Sequence, residues 1–235
     1  MLNRKQHGFE RLTDKEKEIL NQNREKMHRA KAKEPEKLRE HLQAFNDGVL
    51  AIIITIIVLE IKPPLAPNNY SKFIGDIIVF LISFFIIADF WYDLHVDFSY
   101  FILKPSKATA IIDFFLLADL SLLPIMTKWI MADPSSFAVA NFGIVFLIAK
   151  VLRIIEQYVG AMPTMKDYKI INIFMTRSSL RRMIWILFLN IILIILALFL
   201  PRLAMILYLT IPILSFIFPS NNFSGRHRQN KSSAD

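Results

Sequence analysis

The sequence predicts an all-α integral membrane protein with six transmembrane helices per subunit. Three observations predict it. Of 235 residues, 54% are hydrophobic and 20% charged, and a mean hydropathy of +0.41 is too apolar for an ordinary soluble domain of this size. The charges are segregated: 20 of the first 40 residues are Lys, Arg, Asp or Glu, against 28 in the remaining 195. That remainder carries six apolar segments, at 42–61, 70–94, 107–131, 135–158, 181–200 and 202–219. Each is long enough to cross a hydrocarbon core of ~30 Å as a helix of ~17–25 residues, and an open sheet is excluded because its edges would be unpaired in lipid.

Residues 1–40 form a wet arm. No signal peptide is expected, because the first useful apolar stretch begins only after residue 41. From Asp14 to Lys33 the composition of Glu, Lys, Gln, Arg and Ala favours a solvated helix, expected to end near Pro35. Residues 41–219 form the membrane domain. Its turns fall at Lys62 to Pro67, Lys104-Pro105, Asp133-Pro134 and Pro201. Met183 to Leu200 is free of charge, and Pro212 in the last segment is tolerable inside a packed bundle. Residues 220–235, rich in Ser and Asn, read as a disordered tail. With the amino terminus cytosolic, the inner segments hold 22 Lys and Arg and the outer ones 4, which predicts both termini on the cytosolic side.

Composition excludes several chemistries. Cysteine is absent, which removes disulfides, thiolate metal sites and cysteine nucleophiles. The six glycines form no dinucleotide fingerprint, no phosphate loop and no TVGYG-type selectivity filter. No nucleophile–base–orienter trio is recognisable, so the protein reads as a non-enzyme without cofactors. The net charge of +8 sits largely on the inner side of a membrane protein, so the partner it implies is the bilayer and not nucleic acid. Lys150, Arg153 and Glu156 read as a solvated helix extension into the cytosol.

Two constellations carry chemistry. On a helical net Gly48, Ile52, Thr55 and Leu59 are spaced 4, 3 and 4, so they share a stripe that continues to Phe45 inward and Lys62 outward. Thr55 holds the only hydroxyl on it. That hydroxyl has two readings: a back bond to the carbonyl of Ile52 or Ala51, or a polar ring facing a pathway. Antiparallel topology also brings the start of helix one, the end of helix two and the start of helix three to the same cytosolic depth. Asn46, Asp47, Trp91, His95 and Asp113 are thereby expected in a common cluster, acting as a polar staple or as an ion contact. A proton relay through Asp89, Asp113, Asp119 and His95 is a further reading. No pair of metal-ligand spacing supports a metal site.

The first helix, Ala44-Phe-Asn-Asp-Gly-Val-Leu-Ala-Ile-Ile-Ile-Thr-Ile-Ile-Val-Leu-Glu-Ile61, closely resembles the Phe-Ser-Asp signature helix in prokaryotic relatives of the endolysosomal transmembrane potassium channel. Phe90-Trp-Tyr-Asp-Leu-His95 resembles that family's W-x-x-x-H element, and Asp113 to Pro124 its N-x₁₀-P pattern. The resemblance spans residues 41–219. It implies a homotetramer whose central pore is lined by helix one, with Ile52 and Leu59 as apolar constrictions and Thr55 as a hydroxyl ring near which K+ passes transiently. Asp47, Trp91 and His95 are implied as the supporting signature cluster. Three positions depart from the pattern: the usual Arg is His41, the motif Ser is Asn46, and the helix-three Asn is Asp113.

The expected function is a potassium-preferring cation channel of the plasma membrane with passive flux and no TVGYG filter. The rivals are a proton-coupled secondary transporter using the buried acids and His95, and a non-transporting scaffold whose basic arm binds partners or anionic lipid.

Overall fold

The computed structural model describes residues 13–65, 69–162 and 177–208. Helix α1 runs without interruption from Asp14 to Leu59, 46 residues that join the charged arm to the first apolar segment. At its start the Glu16 carboxylate accepts from the Thr13 amide at 2.8 Å and from the Thr13 hydroxyl at 2.7 Å. The expected stop at Pro35 is not observed. Proline there removes one backbone donor and costs about 3 kcal/mol in a helix interior, but the residues on both sides are strong helix formers. The helix is also anchored beyond it by the packing of Leu42, Leu50, Ile53 and Ile57. It ends at Leu59, followed by Pro63 and Pro64.

Helix α2 spans Tyr70–Val96 and passes into a π-helical turn, Asp97–Phe101, closed by the Ile102 amide on the Asp97 carbonyl at 2.7 Å. Helix α3, Lys107–Leu120, is capped by Ser106, whose hydroxyl accepts from the Thr109 amide at 3.2 Å. Residues 107–131, expected as one segment, form two helices. Pro124 cannot supply a backbone donor, so the chain breaks at Ser121 and Leu122 and restarts as α4, Leu123–Ala132. Helix α5 is Ser136–Ala161 and α6 is Arg177–Phe199, followed by a helical stretch at 201–208.

Four of these units are long and apolar enough to cross a membrane: Asp14–Leu59, Tyr70–Phe101, Lys107–Ala132 and Ser136–Ala161. The fifth expected segment is present as the shorter apolar helix Ile184–Phe199. Most of the sixth, and the expected tail, lie outside the described residues. Helix α5 is the hub, packed against α3, α4 and α6, while α1 leans on α2, α3 and α4. Small residues permit these approaches. A Cβ on Gly160 would stand 2.8–2.9 Å from three side-chain carbons of Ile102, and one on Gly143 would overlap Tyr208. Phe90, Phe98 and Phe142 fill the centre. A 2.7 Å bond between the Ser83 and Thr127 hydroxyls joins α2 to α4 within the apolar layer.

Candidate functional site

Helix α1 has two faces. Leu42, Asn46, Leu50, Ile53 and Ile57 repeat at helical spacing and are buried against the neighbouring helices. The stripe predicted on the net falls on the other side. Phe45, Ile52 and Leu59 are exposed, Ile52 at 59% and Leu59 at 80%, and Gly48 and Thr55 are exposed with them. A Cβ on Gly48 would meet nothing within 4 Å. One chain thus leaves a long apolar stripe uncovered.

The Thr55 hydroxyl donates to the Ile52 carbonyl at 2.8 Å. This back bond uses the hydrogen and leaves the oxygen lone pairs unspent, so the two readings of Thr55 are chemically compatible.

The expected polar cluster divides in two. Within the bundle, the Asn46 amide donates to the Asp113 carboxylate at 2.9 Å, tying α1 to α3, and both residues are buried. On the surface, the Trp91 indole N–H donates to the Asp47 carboxylate at 2.7 Å, tying α2 to α1. His95 joins the surface group by stacking its ring on Trp91, centroids 5.6 Å apart and planes 21° from parallel. Phe45 meets Phe114 edge-on at 5.6 Å beside them. His41 is exposed one turn below Phe45 and belongs to neither pair. The residues of the suggested relay fall in different neighbourhoods: Asp89 is held by Lys150, Asp113 by Asn46, and His95 by Trp91.

A third group was missed. Lys150, Arg153 and Glu156 are not a solvated extension: Lys150 and Glu156 are buried, and Arg153 is nearly so. Lys150 Nζ lies 2.7 Å from Asp89 and 3.6 Å from Asp93, and 4.3 Å over the face of Phe90. Arg153 reaches Asp93 at 3.3 Å and Asp97 at 3.0 Å, and the Gln157 amide donates to Asp97 at 2.7 Å. The charged side chains of α5 reach α2 through ion pairs instead of leaving the bundle. The signal was available in the spacing, since Asp89, Asp93 and Asp97 at i, i+4 and i+8 match Lys150, Arg153 and Gln157 at i, i+3 and i+7. Among the described residues no group of three or more His, Cys, Asp or Glu is placed to hold a metal ion.

Residues 41–124, which contain the stripe and both halves of the polar cluster, match the model of the family described as endosomal/lysosomal potassium channel TMEM175. Over that stretch the chain is similar to the TMEM175 family. Among curated proteins it is 35% identical over 123 residues to a potassium channel of Chryseobacterium sp., covering 50% of this chain and 62% of the relative. It is 26% identical over 121 residues to a potassium channel of Streptomyces collinus, covering 47% of this chain and 58% of the relative. The matched stretch therefore spans about three fifths of the length of these relatives. Among solved structures, the fold is shared with the crystal structure of a lysosomal potassium-selective channel TMEM175 homolog from Chamaesiphon Minutus. That match has a TM-score of 0.63 at 19% identity, and covers 77% of this chain and 97% of the other.

The expected resemblance over helices one to three and the multi-pass membrane character agree with these matches and with the four helices of spanning length. Within the TMEM175 pattern, two of the three departures meet each other. Asn46 and Asp113 are bonding partners, so a longer amide on α1 and a carboxylate on α3 stand where the family pattern has a hydroxyl and an amide. The pair forms a buried polar bridge between the two helices, with its donor on α1.

Proposed function

We propose that this chain is the subunit of a potassium-preferring cation channel, a homotetramer in the plasma membrane with both termini cytosolic. Conduction is passive, along a pore lined by α1. The observation that carries this reading is the uncovered stripe of Phe45, Gly48, Ile52, Thr55 and Leu59 on a helix whose opposite face is fully packed. Exposed apolar surface of this length in a membrane protein needs lipid or a second copy to cover it, and a mid-depth hydroxyl with free lone pairs suits a pathway for a cation. Four copies of Ile52 and of Leu59 would gate by dewetting, since neither replaces an ion's hydration shell. A ring of four Thr55 oxygens would contact a partly dehydrated ion. It offers fewer ligands than a carbonyl cage, so discrimination of potassium from sodium would be moderate.

The test is ion flux from proteoliposomes holding the purified protein, with valinomycin and protonophore controls. Wild type should pass potassium down its gradient without a coupled counter-ion. Thr55→Val, which keeps the shape and removes the oxygen, should lower potassium preference severalfold with assembly unchanged. Flux with fixed proton stoichiometry would replace the channel with a transporter, and unaltered permeability ratios in Thr55→Val would return Thr55 to an ordinary back-bonded threonine.

A further inference from the structure

The polar groups between α2, α3 and α5 do not balance. Lys150 and Arg153 are matched with Asp89, Asp93 and Asp97, which leaves the carboxyl groups of Asp113 and Glu156 without a cation of their own. Asp113 Oδ1 accepts from Asn46, but Asp113 Oδ2 and both oxygens of Glu156 are buried without a partner. Glu156 is 1% exposed and Asp113 fully buried, so water does not satisfy them. Asp113 and Glu156 lie on the packed helices α3 and α5, and their side chains are near enough to each other for a hydrogen bond. Two carboxylates present only acceptors, so a bond between them requires a hydrogen.

We propose that Asp113 and Glu156 form a proton-binding site in which one proton, shared by the two carboxyl groups, joins α3 to α5. The groups around it are fixed by four elements. Helix α1 contributes the neutral amide of Asn46, the π turn the carboxylate of Asp97, α5 itself the guanidinium of Arg153, and α2 the carboxylates of Asp89 and Asp93, which pair with Lys150 and Arg153. With the proton bound, the pair carries one negative charge facing Arg153. Without it, two adjacent anions lie in a buried site with Asp97 as a third, and α3 is pushed from α5. Two carboxylates are too few for a divalent metal ion, whereas a proton needs no more than this. Because Asn46 holds α1 to Asp113, the proton also bears on the inner end of the proposed pore helix. That last step rests on the channel reading; the proton site does not.

The experiment compares wild type, Glu156→Gln and Asp113→Asn, purified and reconstituted, by infrared difference spectroscopy between acidic and alkaline buffer and by thermal unfolding over the same pH series. Each amide is a permanent donor at the shared position and mimics the proton-bound pair. Wild type should show the carbonyl band of a protonated carboxylic acid that disappears as pH rises, with the unfolding midpoint falling through the same interval. In E156Q the band should be missing and the midpoint flat across that interval, and D113N gives the same comparison if E156Q fails to fold. A wild-type minus E156Q spectrum with no carboxylic-acid band, or an E156Q midpoint that falls as wild type does, overturns the site. Flux measured on the same vesicles separates the two ideas. Flux that varies with pH in wild type and not in E156Q supports the link to α1, whereas absent flux at every pH with the band intact overturns the channel and upholds the proton site.

Discussion

The guanidinium of Arg153 reaches the carboxylate of Asp97 at 3.0 Å, and in doing so fastens the π-helical end of α2 to the middle of the hub helix α5. Asp97 is 2% exposed, and the same guanidinium also holds Asp93 at 3.3 Å. Lys150, one turn earlier, holds Asp89. The α2–α5 contact is therefore an ionic ladder inside an apolar bundle, where losing one partner strands the others.

Removing Arg153 tests that ladder. Arg153→Leu leaves Asp97 buried with only Gln157 and should cost about 3–5 kcal/mol, while Asp97→Asn keeps two hydrogen-bonding atoms and should cost less. Thermal unfolding in detergent reads both. If Arg153→Leu is as stable as wild type, the ladder is screened and carries no structural weight.

What was legible in the sequence follows from how far each inference reaches. The α1 stripe needs only the 3.6-residue period of one helix, and all five of its positions lie on the uncovered face. The Asn46–Asp113 and Asp47–Trp91 bonds need helix ends at a common depth, which short connections provide, although depth alone did not divide the residues into a buried and a surface pair. The ladder depends on the rotation of α5 about its own axis relative to α2, which neither segment contains. Read singly, Lys150, Arg153 and Glu156 looked like charges leaving the membrane. Pro35 lies inside α1 for a related reason: a proline penalty is local, and it is outweighed by strong helix formers on both sides and by packing further along the helix.

Two glycines of opposite surroundings make a paired prediction. Gly160→Ala drives a methyl to 2.8–2.9 Å from the buried side chain of Ile102 and should destabilise by about 1–3 kcal/mol. Gly48→Ala meets nothing in its own subunit and should be neutral or stabilising by up to about 1 kcal/mol through helix propensity. Unfolding midpoints separate the two. If Gly48→Ala lowers flux or weakens the tetramer while the subunit fold is kept, the constraint on Gly48 lies between copies.

The Trp91–Asp47 bond is open to a double-mutant cycle. Trp91→Phe and Asp47→Asn each remove or weaken one 2.7 Å charge-assisted contact at an exposed site, so each should cost under about 1 kcal/mol in subunit stability. The double variant should cost little more than either single one, because both remove the same contact. Additive losses in thermal unfolding would show that the two residues act through different partners.

Ile52 decides the register of the whole stripe. At 59% exposure it is not a core side chain of its own subunit, so Ile52→Asn should leave the fold of a single chain close to wild type, within about 0.5 kcal/mol. Its effect depends on what covers the residue. Facing lipid, the added amide would lack a partner and lower the yield of membrane-inserted protein, with conductance per channel unchanged. Lining a pore, four amides would wet an apolar ring, so basal conductance should rise and sodium exclusion fall at normal yield. Yield and flux measured on the same preparation distinguish the cases. Normal yield with unaltered flux would remove Ile52 from the pathway, and with it Thr55 and Leu59, whose assignment depends on the same face of α1.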